Sequence, residues 1–264
     1  MKFYRQDFLK KNKIAVIILV RLNSKRLKNK ALLKIHKFSV IELLVKRLTK
    51  FLSKRNIFIC TDKKKNHELK KISDQNDINF FRGDEKNIFK RIIDLRKVYK
   101  FNHFVRVTGD NPFTSISAIK KMALTHVKGS FDYTYTNSLP VGTRSEIISY
   151  KSLIKANNLA LDPKSSEYMT YFFKRKIFKI KNVLFKKKNL NQNFFEVTID
   201  RKKDLNNIIK NFSEKELLDT DIKILSKICK MNKNLKIKKI NKPKLKSKKY
   251  DVRFKNNIAN EIME

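Results

Sequence analysis

Seven apolar residues in succession, 14–20, lead directly into a loop rich in cations. The run is mostly β-branched and too short to favour a helix, so it predicts a central parallel strand buried on both faces. Ligands of open α/β sheets bind outside the carboxyl ends of such strands. Six side chains that can donate hydrogen bonds follow the run: Arg21, Ser24, Lys25, Arg26, Lys28 and Lys30. So many donors at this point indicate a polyanionic ligand, most simply a nucleoside triphosphate.

Helical and extended segments alternate after this loop. Apolar residues at helical spacing predict helices over residues 40–52, 85–99 and 115–127. Short apolar and aromatic segments predict strands over residues 56–61, 78–81, 103–108 and 131–136. The alternation indicates an α/β fold with a doubly wound, mixed and mostly parallel sheet that carries helices on both faces. A length of 264 residues is ample for one such domain.

The cationic loop also has the spacing of a known motif. Its residues Arg21, Ser24, Arg26 and Lys30 form the pattern R-x-x-S-x-R-L-x-x-K. This pattern resembles the signature loop of the cytidylyltransferases that activate acidic sugars, the family of CMP-Kdo synthetase, acylneuraminate cytidylyltransferase and the spore-coat polysaccharide SpsF proteins. The resemblance implies a nucleotide-diphospho-sugar transferase type of fold. The alternative is an ordinary basic connection between a strand and a helix.

The loop departs from the family pattern R-x-G-S-x-R-L-P-G-K at three positions. Asn23 and Asn29 replace the two glycines, and Lys28 replaces the proline. Asparagine is the non-glycine residue that best tolerates a positive φ, so we expect the backbone path to survive. The missing proline loosens the loop, and we expect it to affect the rate more than binding.

Two aspartates, far apart in the sequence, follow predicted strands. The segment R-V-T-G-D-N-P-F resembles the family's R-[IV]-T-[GA]-D-x-P-[LF], whose aspartate binds Mg²⁺; here it is Asp110, preceded by a glycine turn at Gly109. The segment F-F-E-V-T-I-D-R-K-K-D-L resembles the one with the family's second metal-binding carboxylate, here Asp200. Carboxylates at strand ends suit a metal that bridges phosphate oxygens, and a parallel sheet would bring both to the edge that carries the loop. An ordinary Gly-Asp turn is the alternative for Asp110.

Other motifs of the same family imply contacts with the nucleotide. The strand over residues 56–61 ends at Thr61, which lies near the nucleotide in the family, although Asp62 could simply cap the next helix. The residues that follow the strand at 78–81 resemble the family's F-R-G-[SD] turn. This resemblance implies that Arg82 and Gly83 lie close to the cytidine.

Two segments resemble the part of the family that faces the sugar. N-S-L-P-V-G-T-R-S-E-I-I-S matches the family's glutamate with Glu146, whereas Arg144 stands where an aspartate is common. That replacement reverses a charge beside the acceptor sugar, so the identity of the acceptor cannot be carried over. S-S-E-Y-M-T-Y-F-F resembles a further segment, with Tyr168 in place of histidine, and implies that Glu167 contacts either the substrate or a second subunit.

The charge of the chain has two competing explanations. Lys and Arg number 64 against 24 Asp and Glu, a formal net charge of +40 that ordinarily indicates nucleic acid or an acidic membrane surface. The lysines are spread over nearly every segment, however, and the chain is rich in residues with A/T-rich codons. We therefore favour mutational bias of an AT-rich genome over nucleic-acid binding.

Cysteine and histidine give no sign of a metal or disulfide framework. Cys60 and Cys229 are far apart and the four histidines are scattered, so we predict reduced thiols, no zinc site and no catalytic histidine. The apolar run at residues 14–20 is too short to span a bilayer and no cleavage site follows it. We expect a soluble, cytoplasmic protein with no membrane partner.

These observations predict a polar lead at residues 1–12, a nucleotidyltransferase domain at 13–230 and a basic extension at 231–264. The extension has eleven basic residues and one acid over residues 232–255, which suits a solvated tail, an RNA or membrane patch, or an edge strand at 235–240. The resemblance implies a homodimer that transfers cytidylyl from CTP to a sugar, most often an acidic one, for surface polysaccharide biosynthesis. Arg21, Arg26 and Lys30 would hold the triphosphate, and Ser24 would donate to it. A nucleotide-binding homologue without turnover and a basic nucleic-acid-binding protein are the alternatives.

Overall fold

The computed structural model describes residues 6–24, 26–64, 66–174, 176–185, 196–231, 246–247 and 250–255. The strands in these ranges are β1 (Ile14–Leu19), β2 (Lys34–Ile35), β3 (Phe38–Ser39), β4 (Ile57–Asp62), β5 (Asn79–Gly83), β6 (His103–Thr108), β7 (Tyr133–Tyr135), β8 (Glu146–Ser149), β9 (Ile180–Asn182), β10 (Lys246–Ser247) and β11 (Tyr250–Asp251). The α-helices are α1 (Gln6–Lys11), α2 (Val40–Phe51), α3 (His67–Gln75), α4 (Ile88–Val98), α5 (Ile116–Lys128), α6 (Tyr150–Leu159), α7 (Met169–Phe173), α8 (Lys202–Asn211) and α9 (Asp221–Lys230). No described helix is both long enough and apolar enough to cross a bilayer.

Seven of the strands form one mixed sheet in the order β5-β4-β1-β6-β8-β7-β9. The pairings β1–β4, β1–β6, β4–β5 and β7–β9 are parallel, and β8 runs antiparallel to both β6 and β7. The carboxyl ends of β1, β4, β5 and β6 therefore lie on the same edge, which also carries the amino end of β8. The predicted fold class is confirmed, with β1 at the centre of the parallel half.

Helices cover both faces of this sheet because the strands are apolar on both sides. Side chains of β1 alternate between two cores: Ile14, Val16 and Ile18 pack with α2, α3 and α5, whereas Ala15, Ile17 and Leu19 pack with α4, α6 and α7. A third core forms beyond the sheet edge, where α8 and α9 pack against the start of α2 and against Phe113. The site described below lies between this third core and the end of β1.

The two ends of the chain contribute more to the core than their composition indicates. Within the predicted polar lead, α1 forms a helix whose Leu9 is buried against the first core. In the predicted basic extension, Val252 and Phe254 are buried in the second core. The edge strand considered for residues 235–240 lies outside the described residues, and the proposed domain boundaries stay a prediction.

Candidate active site

The loop after β1 is closed by its own backbone. The carbonyl oxygen of Leu22 accepts hydrogen bonds from the amides of Ser24 at 2.9 Å and Asn29 at 3.1 Å. Asn29 adopts the left-handed conformation at φ 53°, as expected for an asparagine in place of glycine, whereas Asn23 does not have a positive φ. Asn29 begins a short 3₁₀ turn, Lys30–Leu32, so that Lys30 is the first residue after the bend.

Lys30 brings together the two aspartates that lie far apart in the sequence. Its ammonium contacts Oδ2 of Asp110, and it lies 2.9 Å from Oδ1 of Asp200. Nη1 of Arg26 lies 2.7 Å from the other oxygen of Asp200. The three central side chains are mostly buried, with exposed fractions of 14% for Lys30, 19% for Asp110 and 29% for Asp200. The convergence of cationic loop and paired carboxylates that the sequence predicts is present.

Gly109 sets the position of Asp110. Its amide donates to the carbonyl oxygen of Leu19 at 2.9 Å, which continues the pairing of β6 with β1 up to the turn. A Cβ atom at residue 109 would lie 2.7 Å from Cβ of Val20. The two strand ends can therefore approach this closely only with glycine at this position.

Asp200 reaches the site differently from the way the sequence predicts. We expected it to end a strand of the sheet, but residues 196–200 form no strand. Backbone hydrogen bonds hold this segment instead. The amide of Val197 donates to the carbonyl oxygen of Val141 at 2.9 Å, and the amide of Ile199 donates to the carbonyl oxygen of Asp110 at 3.1 Å. Gly142, at φ 93°, allows the approach, since a Cβ there would lie 2.4 Å from the amide nitrogen of Thr198.

The paired carboxylates fit a magnesium ion bound together with phosphate. Oxygens of both Asp110 and Asp200 lie within contact of one ammonium, so both can reach one cation. Among the described residues there is no cluster of three or more His, Cys, Asp or Glu side chains that could enclose a metal. Mg²⁺ typically uses one or two carboxylates and takes its other ligands from water and substrate phosphates. The donor set therefore suits a metal that arrives with a nucleotide.

A cleft of about 600 Å³ opens between the cationic loop and the end of β4. Its lining residues are Leu22, Asn23, Asn29, Asp62, Lys63, Lys64 and Asn66. Thr61, the predicted nucleotide neighbour, is buried next to it, and its Oγ1 has no hydrogen-bond partner among the described residues. Asp62 is occupied in local bonds with the amide of Lys64 and the side chain of Asn66.

Arg82, which we predict to contact the cytidine, does not join the cluster that contains Asp110 and Asp200. The Arg82 guanidinium is exposed and lies over the ring of Phe80, 5.3 Å from its centroid. β5 is two strands from β1 in the sheet. Gly83 is buried at the end of β5, and Arg91, which sequence reasoning missed, fixes the turn that follows by donating to the carbonyl oxygens of Asp84 and Glu85. Gly83 lies at the carboxyl edge of the parallel strands, paired with Asp62 of β4.

On the other side of β6, Glu146 is paired with a residue that the sequence analysis did not single out. Nη1 of Arg106 lies 3.0 Å from Oε2 of Glu146, across the β6–β8 register. Burial opposes the charge of Arg106, but the facing carboxylate raises the pKa of this guanidinium. Arg106 stands in the segment R-V-T-G-D-N-P-F, yet its role depends on the antiparallel pairing of β8, which no local pattern shows.

Two further cations lie on this side without a carboxylate partner. Burial lowers the pKa of both Arg144 and Lys174. Within the described ranges neither forms a salt bridge: Nε of Arg144 donates to the carbonyl oxygen of Leu139, and Lys174 lies over the ring of Tyr135. An anionic group bound here would gain from both charges.

The remaining predicted residue, Glu167, joins the cationic loop. Its Oε1 lies 2.7 Å from Nη2 of Arg21, and both side chains are about half exposed, at 50% and 47%. Ser24 is partly buried in the same loop, and none of the described residues forms a hydrogen bond with its hydroxyl. The structure thus gathers Arg26, Lys30, Asp110 and Asp200 in one cluster. Arg21 of the cationic loop forms a separate pair with Glu167.

Comparison with known sequences agrees with this geometry. The family described as Cytidylyltransferase matches residues 15–242. An uncharacterised protein of Methanocaldococcus jannaschii is 34% identical over 232 residues, which cover 87% of this chain and 94% of that protein. The spore coat polysaccharide biosynthesis protein SpsF of Bacillus subtilis is 29% identical over 169 residues, 62% of this chain and 70% of SpsF.

Solved structures share the fold. A cytidylyltransferase from Leptospira borgpetersenii superposes with a TM-score of 0.72 at 21% identity, covering 86% of this chain and 99% of that one. A CMP:2-keto-3-deoxy-manno-octonic acid synthetase in complex with CTP superposes with a TM-score of 0.58 at 12% identity, covering 75% of this chain and 97% of that one.

Proposed function

This chain belongs to the cytidylyltransferase family and is a nucleotidyltransferase, and from that premise we propose that it transfers the cytidylyl group of CTP to the anomeric hydroxyl of an acidic sugar. The observation that carries the proposal is the contact of one ammonium, that of Lys30, with both Asp110 and Asp200. It supports a site in which a triphosphate and a divalent cation meet at the end of β1.

The reaction needs alignment and charge more than a covalent intermediate. The hydroxyl oxygen of the sugar attacks the α-phosphorus in line, the bond to the bridging oxygen of the leaving group breaks, and pyrophosphate and the hydroxyl proton are released. Arg21, Arg26 and Lys30 hold the phosphates and balance the negative charge that develops, and Ser24 donates to a phosphate oxygen. The cleft beside Thr61 and Asn66 takes the nucleoside.

Asp110 and Asp200 are the residues that would hold Mg²⁺. The ion, when bound, neutralises phosphate charge during the displacement. In the nucleotide-bound state the Lys30 ammonium moves its contacts from the carboxylates toward phosphate, so its charge stays close to the reacting centre. Gly109 and Gly142 keep both carboxylates at the end of β1.

An acidic acceptor is supported by Arg144 and Lys174. Both cations are partly buried at the edge that carries the amino end of β8, and no described carboxylate neutralises them by direct contact. The carboxylate of Glu146 acts on both cations, and that of Glu196 acts on Arg144, only at longer range. A carboxylate on the sugar would supply the missing counter-charge. The homodimer, the cytoplasmic location and the role in surface polysaccharide biosynthesis stay predictions from the family resemblance.

The test is pyrophosphate release by the purified full-length chain with Mg²⁺. Each of CTP, UTP, GTP and ATP is offered with a panel of 2-keto-3-deoxy sugar acids and with neutral sugars of the same size. We expect turnover with CTP and an acidic sugar only. Turnover with another nucleotide would contradict the base assignment, turnover with the neutral sugars would contradict the acidic acceptor, and absence of any turnover would favour binding without catalysis.

A further inference from the structure

The end of the described chain forms a strap, which we define as residues 250–255. Val252 and Phe254 are buried in the second core, and Phe254 packs against Phe172 and Phe178. The backbone is bonded as well: the carbonyl oxygen of Arg253 accepts from Leu161 at 2.9 Å, and the amide of Lys255 donates to Leu159 at 2.8 Å. Burial of two such side chains removes a large apolar area from water, so the strap is firmly attached.

The strap holds the 3₁₀ turn Pro163–Tyr168. The amide of Asp251 donates to Oγ of Ser165 at 2.9 Å, and the rings of Tyr250 and Tyr168 lie 4.2 Å apart between centroids. From the other side, Oγ of Ser166 accepts from the amide of Ile88 at 2.7 Å. The turn is therefore fixed between the start of α4 and the strap.

The same turn carries Glu167, whose carboxylate contacts the guanidinium of Arg21. One guanidinium nitrogen, Nη2, makes this contact, so most of the five donors of Arg21 stay available for phosphate. An exposed arginine otherwise loses considerable side-chain entropy when it is fixed by a ligand. A carboxylate that already restrains Arg21 lowers this cost.

We infer that the strap is a positioning element for nucleotide binding, in which Tyr250 and Asp251 hold Glu167 so that Glu167 orients Arg21 toward the triphosphate. The strap lies beyond residues 15–242, the part of the chain that matches the family. The inference rests on the proposed function, because Arg21 is assigned to phosphate there.

The first test needs no nucleotide. Phenylglyoxal modifies arginines that are free of a partner, and mass spectrometry reads the labelling rates of Arg21 and Arg26 separately. We expect Tyr250→Ala to raise the labelling rate at Arg21 by about twofold or more, and we expect the same of Glu167→Gln. Arg26 serves as an internal control, since its partner Asp200 is not held by the strap. An unchanged rate at Arg21 in Tyr250→Ala would overturn the inference.

The second test measures the dissociation constant of Mg·CTP by calorimetry. We expect Tyr250→Ala to raise it about threefold to fivefold, the range for a half-exposed ion pair, and Tyr250→Phe to leave it near the parent value. In an Arg21→Ala background, Tyr250→Ala should add nothing. An equal loss in both backgrounds would show a general structural role and overturn the inference.

Tyr99→Ala is the matched control for loss of a half-buried tyrosine. Its ring packs on Phe58, at the amino end of β4 and away from the site. We expect it to lower the melting temperature without a change at Arg21. If the parent chain does not bind Mg·CTP, the proposed function fails. The labelling result still decides whether the strap restrains Arg21 through Glu167.

Discussion

The amide of Ile199 donates to the carbonyl oxygen of Asp110 at 3.1 Å. This one backbone bond places Asp200, the next residue, beside Asp110, although the two carboxylates are separated by most of the second half of the domain. Both then contact the ammonium of Lys30. Backbone pairing thus builds the site. The two carboxylates can meet only when the segments that carry Asp110 and Asp200 are docked on each other.

The paired carboxylates are expected to act as one unit. Asp110→Asn and Asp200→Asn should each lower pyrophosphate release from CTP by about 100-fold or more, because each removes part of the charge that holds a metal at the phosphates. The double variant should lose little more than either single variant. EDTA added to the parent should abolish turnover, and excess MgCl₂ should restore it.

Asp77→Asn is the control for this pair. Asp77 is exposed and has φ 53°, a conformation that asparagine also tolerates. It should keep parental kcat and KM. Normal turnover in Asp110→Asn would count against the proposed chemistry.

Lys30 is expected to compete with metal for the carboxylates as well as to bind phosphate. Lys30→Ala should lower kcat by about 100-fold or more, since a cation near the reacting phosphate is lost. The same variant should show a larger thermal shift with MgCl₂ alone, because no ammonium then occupies Asp110 and Asp200. Lys28→Ala removes an exposed lysine of the same loop. It should change neither kcat nor the thermal shift with MgCl₂. An equal loss in Lys28→Ala would assign the effect to the charge of the loop as a whole.

Gly109 is expected to tolerate no side chain. In Gly109→Ala the new Cβ would lie 2.7 Å from Cβ of Val20, an atom next to the backbone of a buried strand end that cannot move aside. We expect a loss of about 1–3 kcal/mol in the free energy of unfolding, measured in urea, and a fall in kcat as Asp110 shifts. Gly129→Ala should keep kcat, because the three atoms nearest to its new Cβ all belong to the ring of Phe131, away from the site. Parental kcat in Gly109→Ala would show that Asp110 does not depend on this close approach.

The parts of the site that follow local patterns could be predicted from the sequence. The strand β1, its cationic loop and the turn at Asp110 are consecutive residues, so apolar runs and turn residues indicate them directly. Asn29 takes the left-handed conformation expected from its residue type.

The parts of the site that depend on contacts between distant segments could not be predicted from the sequence. Asp200 reaches the site through a close approach at Gly142 instead of through a strand, and Arg106 finds Glu146 only because β8 pairs antiparallel to β6. Leu9 and Phe254 are single apolar residues in lysine-rich segments, where no periodicity marks them as part of a core.

Arg144 is expected to decide the acceptor. Arg144→Asp restores the residue common in the SpsF branch and should raise KM for the acidic sugar about tenfold to 100-fold, the range for a hydrogen bond to a charged group. KM for CTP should stay unchanged, because Arg144 lies on the other side of β6 from the nucleoside cleft. Lys151→Asp, an exposed charge reversal on α6, is the control for net charge. Equal effects on the two KM values would indicate damage to the site as a whole.

A buried histidine pair is expected to make stability fall in mild acid. His126 is fully buried, with Nε2 3.1 Å from Nδ1 of His103 and Nδ1 2.8 Å from Oγ1 of Thr134. Burial and then the neighbouring His103 lower the pKa of His126 to about 3, and the nearby Asp132 opposes this only weakly. The unfolded chain binds a proton at this residue below about pH 6.5, whereas the folded chain does so only near pH 3. Stability from this residue is therefore complete above pH 6.5 and falls by about 1.4 kcal/mol for each pH unit below it, or about 2 kcal/mol at pH 5.

Urea unfolding at pH 7 and pH 5 checks this for the parent and for His126→Gln. The variant should be less stable at pH 7, where it loses packing and hydrogen bonds, but it should lose less stability on going to pH 5, because glutamine takes up no proton. His67→Gln, at an exposed histidine, should follow the parent at both values. Since the pair lies at the amino end of β6, opposite the edge that carries Asp110, this pH dependence should appear in unfolding and leave KM for CTP at pH 6 and 7 unaffected. If His126→Gln lost as much unfolding free energy between pH 7 and pH 5 as the parent does, other groups would cause the acid sensitivity.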